Sequence, residues 1–100
     1  MLNIEKTIEN GKARFALEGR LDTVTSQELE QELIGSLEGV AELTLDFEKL
    51  EHLSSAGLRV LLIAQKTMTK QGGEMKVVRV NDVIMGIFET TGFSDILVIE

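Results

Sequence analysis

The run from Leu53 to Gln65 constrains the fold more than any other stretch, because it joins two serines and a glycine to the least polar segment of the chain. Ser54 is a favourable N-cap, since its hydroxyl can accept a hydrogen bond from a free amide of the first helical turn. Leu53 and Leu58 then have the spacing of a hydrophobic staple. Apolar residues follow around most of the helix, so we expect other parts of the chain to cover it. Gly72-Gly73 is its predicted end.

The same assignment puts Ser55 in the first helical turn. Free amides and the positive end of the helix dipole favour an anion at this position. From the residues alone, however, Ser54 and Ser55 could simply be capping serines of the kind that commonly begin helices.

Alternating apolar and polar residues predict the strands. Asn10-Gly11 is typical of a two-residue hairpin turn and would join the first two strands. A third strand is predicted at residues 43–47, and a fourth from Met75 to Val80. The short apolar segment Ile96 to Ile99 is either a final strand or the start of a clipped helix.

Helix signals lie between these strands. Thr25-Ser26-Gln27-Glu28 is a predicted capping box that begins the first helix, with Gly39 as its predicted end. Asn81 is predicted to cap a third helix that closes at Gly92. The order ββαβαβα, with a possible last strand, predicts an α/β fold with a mixed four- to five-stranded sheet, one face of which is less covered. Its length predicts a single domain over residues 1–100.

Composition argues against several classes of function. The chain has no cysteine, so a disulfide or a thiolate metal site is impossible. Its formal charge of −7 disfavours direct binding to nucleic acid, and it has no tryptophan or tyrosine to stack on bases. No apolar run approaches the roughly 20 residues of a membrane span, and the N-terminus lacks signal-peptide features. We therefore expect a cytoplasmic protein without membrane insertion.

An enzymatic or metal site is also disfavoured. A serine hydrolase needs a base, but His52 is the only histidine and there is no Gly-x-Ser-x-Gly elbow. Asp22, Asp46 and Glu48 have no histidine or cysteine partner at a metal-ligand spacing, so they are better explained as solvated residues. We expect no catalytic residues, no metal and no cofactor.

The sequence resembles a known family at three places. Ser54-Ser55-Ala56-Gly57-Leu58 is similar to the signature loop of STAS domains, above all of the bacterial anti-sigma factor antagonists, whose usual pattern is Asp-Ser-(Ser/Thr/Ala)-Gly-Leu. Leu17 to Asp22 resembles the turn after the second strand, and Gly72 to Met75 resembles the segment before a later strand. The resemblance runs nearly end to end and implies the STAS fold, with helices packed mainly on one face of the sheet.

The resemblance implies a binding switch rather than an enzyme. Unmodified, such a protein binds an anti-sigma factor that is also a serine kinase and so frees a sigma factor. The kinase then phosphorylates the serine that matches Ser55, and a serine phosphatase removes the phosphate. Ser54 stands where the family has aspartate, which leaves Ser54 as a second candidate for modification.

The resemblance also implies a contact surface beside this serine. Its predicted members come from the turn after the second strand and from the start of the apolar helix: Arg20, Leu21, Asp22, Thr23, His52, Ser54, Ser55, Ala56, Gly57 and Arg59. The alternative is a STAS adaptor in another complex, such as a subunit of a lipid-transport ATPase, which would use the same face without phosphorylation.

Overall fold

A computed structural model describes residues 1–100 and contains five strands and three α-helices. In chain order they are β1 (Leu2–Glu9), β2 (Lys12–Leu21), α1 (Thr23–Ile34), β3 (Glu42–Leu53), α2 (Ser55–Lys70), β4 (Glu74–Val78), α3 (Asp82–Thr91) and β5 (Val98–Ile99). A single 3₁₀ turn, Phe93–Asp95, leads into β5. No helix has both the length and the apolar character needed to cross a membrane.

All five strands form one sheet in the order β1-β2-β3-β4-β5. β1 runs antiparallel to β2 across the predicted Asn10-Gly11 turn, whose residues both have positive φ. The remaining neighbours are parallel, because a helix carries the chain back between each pair of strands. The predicted α/β fold with the order ββαβαβα is confirmed, and the C-terminal segment is a fifth strand.

The core lies on one face of the sheet. Phe15, Leu45 and Val77 are register neighbours on β2, β3 and β4, and each is fully buried. The three helices cover this face with fully buried side chains of their own: Leu29, Leu61, Met68, Ile84 and Phe88. Helices therefore pack on one face of the sheet, as predicted.

The other face of the sheet is polar and holds what we call the Asp46 cluster, formed by Arg14, Asp46, Glu48 and Arg79. The Asp46 carboxylate accepts hydrogen bonds from Arg14 at 2.7 Å, from Arg79, and from the Glu48 amide at 3.0 Å. Burial raises the pKa of Asp46, but these three hydrogen bonds outweigh it and hold the pKa below its ordinary value. The carboxylate joins Arg14 on β2 and Arg79, the residue after β4, to β3.

The predicted boundaries of the first helix are wrong at both ends. α1 begins at Thr23, and its N-cap is Asp22 rather than Thr25. The Asp22 carboxylate accepts from two amides of the first turn, while the Thr25 hydroxyl accepts from the Asp22 amide in return. Thr25 is thus the N3 member of a capping box that starts earlier. The helix ends at Ile34 with Gly35 as its C-cap, before Gly39.

The third strand is longer than the alternation indicates. Phe47, Leu50 and Leu53 are all buried although they are spaced by three residues, which does not fit the two-residue period of a regular strand. The pairing with β2 shifts register twice, and both extra residues lie in β3. Such bulges keep apolar residues on the core face and change the twist of the strand. The third strand therefore continues beyond the predicted residues 43–47, as far as Leu53.

Candidate functional site

All three helices begin at the same edge of the sheet, where the parallel strands β2, β3 and β4 end. We call this surface, formed by residues 20–24, 52–59 and 81–83, the helix-start edge. Its N-caps are Asp22, Ser54 and Asn81. Their proximity follows from the sheet: the Ser54 amide donates to the Leu21 carbonyl at 2.9 Å, and the Asn81 side chain donates to the Leu50 carbonyl at 3.0 Å. The carboxyl ends of parallel strands are a common place for binding sites.

Ser54 and Ser55 have the positions that the sequence predicts. The Ser54 hydroxyl accepts from the Gly57 amide at 3.2 Å, so it is committed to capping α2. Ser55 is the first residue of the helix and its side chain is exposed. The amides of Ser55 and Ala56 have no intrahelical acceptor at these positions. An exposed hydroxyl thus lies beside two free amide donors.

Gly57 and Leu21 were predicted members of the contact surface, but the structure buries both of them. A Cβ added at Gly57 would lie 2.7 Å from Leu53 Cδ1 and 2.9 Å from Leu21 Cδ2, closer than van der Waals contact allows. Only glycine lets the first turn of α2 approach these leucines so closely. Gly57 and Leu21 therefore support the helix-start edge from within and cannot present a side chain to a partner.

Asp22 caps α1 and directly follows Leu21, whose carbonyl accepts from the amide of Ser54, the N-cap of α2. The backbone hydrogen bond from Thr25 is the main cause of the lowered pKa of Asp22. The carboxyl therefore stays ionised at neutral pH. Thr23, which follows it, is exposed.

The basic residues of the edge lie around Ser55. Arg59 is exposed one helical turn after Ser55, at the i+4 spacing that brings side chains together on one helix face. Arg20 is exposed on β2 and is the register partner of the half-buried His52 on β3. The first turn of α2 holds no acidic residue, so no side-chain charge of its own offsets the positive end of the helix dipole.

Two apolar residues of this edge were missed by the sequence analysis. Val24 and Val83 are the second residues of α1 and α3, and they are 70% and 66% exposed. Val24 lies outside the helical stripe that carries the core residues Leu29 and Leu33, so its exposure could have been found from its phase. Val83 is on the same helix face as Ile87, which packs against the core, so its phase alone would not have shown it to be exposed. Single exposed valines are common on protein surfaces. These two add apolar area to an edge that otherwise offers polar and charged groups.

The arrangement suits recognition better than catalysis. No group of three or more histidine, aspartate or glutamate side chains is placed to hold a metal ion. The edge offers an exposed serine, free amides, mixed charges and two apolar side chains. Such a surface can contact a protein, and the serine can accept a phosphoryl group from an external donor.

Comparison with known proteins is consistent with this geometry. The model of the STAS domain family matches residues 3–100. BtrV of Bordetella bronchiseptica, named as a candidate anti-sigma factor antagonist, is 31% identical over 88 residues, covering 87% of this chain and 76% of that protein. The anti-sigma-B factor antagonist of Bacillus subtilis is 24% identical over 96 residues, covering 96% and 88% of the two chains.

Two solved structures have the same architecture. An anti-sigma factor antagonist from Mycobacterium paratuberculosis superposes with a TM-score of 0.87 at 22% identity, covering 99% of this chain and 85% of that one. The phosphorylated form of the Bacillus cell fate determinant SpoIIAA gives 0.76 at 15% identity, covering 100% and 91%. At these identities the likeness shows a shared fold alone.

Proposed function

Since this chain belongs to the STAS domain family, we propose that it is an anti-sigma factor antagonist. In this proposal it is a non-enzymatic regulator that works in the cytoplasm. Its partner is an anti-sigma factor with serine kinase activity, and its binding frees a sigma factor. Phosphorylation of Ser55 ends the interaction, and a serine phosphatase restores it.

The observation that carries the proposal is the exposure of Ser55 at the start of α2. A kinase needs a hydroxyl that it can reach, and Ser55 offers one on a rigid element. Ser54 is the weaker candidate because its hydroxyl already caps the helix. The relatives named as anti-sigma factor antagonists support the choice of partner class.

The proposed contact surface is the exposed part of the helix-start edge. It keeps the predicted residues whose side chains reach the surface and adds the two exposed valines, so that its members are Arg20, Asp22, Thr23, Val24, His52, Ser54, Ser55, Ala56, Arg59 and Val83. In this arrangement the valines supply apolar contact. The charged residues around them select the orientation of the partner.

The switch follows from charge at this edge. A phosphate on Ser55 adds about −1.5 to −2 charges near neutral pH, next to free amides that can solvate it. We therefore expect α2 to remain folded. A partner surface matched to a neutral hydroxyl would instead meet a dianion beside the already negative Asp22, and such like-charge juxtaposition can cost several kcal/mol.

The proposal is tested by recovering the partner and mapping its product. The chain is used as bait in an extract of its native host, and bound proteins are identified by mass. The kinase recovered in this way is then incubated with ATP and either the natural chain, Ser55→Ala or Ser54→Ala. We expect phosphate on Ser55 in the natural chain and in Ser54→Ala, and none in Ser55→Ala.

Two results would contradict the proposal. Phosphate found only on Ser54 would reject Ser55 as the switch. No phosphate on either serine, together with a stable complex, would favour the adaptor function in which the same edge docks a partner without modification.

A further inference from the structure

A second surface lies between the C-terminal halves of α1 and α2, away from the helix-start edge. Here a groove of about 230 Å³ separates the two helices. Its floor contains the buried side chains of Leu33, Leu37 and Ala64. Ile34, the last residue of α1, stands at its rim with 65% of its surface exposed.

Two hydrogen bonds connect the two sides of the groove at one end. The Gln71 side-chain amide, just after α2, donates to the Leu37 carbonyl at 2.7 Å and to the Val40 carbonyl at 2.8 Å. These bonds fix the segment after α1 against the end of α2. The groove is thus open in the structure, with its end bounded by these two hydrogen bonds.

The charges that line the groove have one sign. Glu30 and Glu38 lie on either side of Ile34, each four residues away, and both belong to the lining. No lysine or arginine lines the groove. The result is an exposed apolar side chain between two carboxylates, and the chain as a whole carries a formal charge of −7.

We propose that this groove docks a cationic amphipathic helix of a partner protein. An apolar residue of that helix packs against Ile34 and Ile63, and lysine or arginine residues before and after it face Glu30 and Glu38. The mode is the familiar one in which the apolar face of a helix fills a hydrophobic groove, with charge selecting the sequence. This docking does not depend on the helix-start edge, so it can occur whether or not Ser55 is modified.

The test uses two synthetic helical peptides of about 18 residues, long enough to form a helix on binding. One is built from leucine and lysine, and the other has glutamate in place of lysine. Each is titrated into the isotope-labelled chain, and backbone amide shifts are followed by NMR. We expect the lysine peptide to bind saturably and to shift amides of residues 30–38 and 63–71, with little change at residues 54–59. The glutamate peptide should not bind.

Variants separate the groove from general charge attraction. The variant Ile34→Ser should lower the affinity for the lysine peptide by about tenfold or more. The double variant Glu30→Gln/Glu38→Gln should lower it by a similar factor. Val98→Ser is the control, because Val98 is also more than half exposed but lies on β5, outside both the groove and the helix-start edge, and this variant should bind like the natural chain. All variants are checked for unchanged folding by their spectra.

Several outcomes would overturn the proposal. These are no saturable binding, shifts spread over the whole acidic surface, equal binding of the glutamate peptide, or full binding by Ile34→Ser. Sedimentation of the chain alone provides the last check. A dimer abolished by Ile34→Ser would show that a second copy of the chain, and not a cationic partner, occupies the groove.

Discussion

The Asp46 cluster is centred on β3 and the Ser54–Ser55 turn directly follows that strand, yet the two polar groups use their hydrogen-bonding capacity in opposite ways. Asp46 is 5% exposed and accepts from two arginines and one amide, so its capacity is filled within the chain. At the turn, the Ser54 hydroxyl already accepts the capping hydrogen bond from the Gly57 amide, but the Ser55 hydroxyl and the first amides of α2 face solvent.

The difference separates a structural role from a binding role. A carboxylate that ties β2 and the segment after β4 to β3 can stabilise the sheet, but it has little hydrogen-bonding capacity left to offer a ligand. Free donors next to an exposed hydroxyl contribute little to stability and are available to a partner or a phosphate. We therefore expect substitutions at the two places to separate stability from binding.

The largest effect should come from the core that supports both regions. Leu61 is fully buried on α2, so Leu61→Ala should lower the free energy of unfolding by about 2–5 kcal/mol. Urea unfolding measures this change. A loss below about 0.5 kcal/mol, the scale of a surface change, would mean that α2 is not anchored as described.

Gly57→Ala should show that the helix-start edge depends on close packing beneath it. The added methyl would overlap Leu21 and Leu53, which are both buried and have little room to move. We expect a loss of about 1–3 kcal/mol, as for other overpacked sites. Gly86→Ala is the control, because a Cβ there meets no atom within 4 Å and should be tolerated or stabilising. Equal stability of the two variants in urea would contradict the packing at Gly57.

Asp46→Asn should be destabilising without touching partner binding. It weakens hydrogen bonds to charged groups, but both arginines are about half exposed, so we expect a loss of only about 1–2 kcal/mol. Glu48→Gln is the milder control, because the Glu48 side chain is exposed and its one ion pair is with Arg79, at 3.2 Å. A change in partner affinity in Asp46→Asn would contradict the division of roles.

The pH dependence of stability gives a further test of the role of Asp46, by comparing the natural chain with Asp46→Asn. Because the folded-state pKa of Asp46 is lowered, its contribution is present above the ordinary aspartate pKa of about 3.9 and is lost as pH falls through the lowered value. The stability difference between the natural chain and Asp46→Asn should therefore be constant near neutral pH and shrink below about pH 4. A difference that persists unchanged in acid would show that the charge of Asp46 is not its source.

Ser54→Ala should have a smaller effect, at the turn itself. It removes the hydroxyl that accepts from the Gly57 amide, and the loss of such a cap costs about 1 kcal/mol. Ser54→Asp, which restores the residue usual in the family, should retain the cap and the stability. Thermal or urea unfolding of the two variants decides this, and equal losses in both would reject the capping role.

Regular patterns made much of the fold predictable from the sequence. The N-caps Ser54 and Asn81, the Asn10-Gly11 hairpin and the order of strands and helices along the chain follow from local patterns, and the structure agrees with them. The extension of β3 to Leu53 did not follow, because two bulges replace the alternating pattern with a spacing of three. The start of α1 was missed because Asp22 and Thr25 both have capping side chains, and only the folded chain shows which one is the N-cap.

The site was predictable to a similar degree. The position of Ser55 at the first turn of α2 is confirmed, whereas its phosphorylation stays a prediction. The burial of Leu21 and Gly57 could not be foreseen, because it depends on the contact between the end of β2 and the start of α2, two segments far apart in the sequence. The phase of Val24 indicates its exposure, but the structure alone shows that Val24 and Val83 share one edge, because it brings the three helix starts together.

The most direct test of the account compares partner affinity and folding in one pair of samples. The chain is prepared unmodified and fully phosphorylated on Ser55, and each form is titrated calorimetrically with the recovered anti-sigma factor and unfolded in urea. We predict that phosphorylation weakens binding by about 100-fold or more, equivalent to about 2.7 kcal/mol, while the urea midpoint hardly changes. Equal affinity of the two forms, or a phosphorylated chain that binds poorly because it is unfolded, would contradict the claim that Ser55 is a local electrostatic switch.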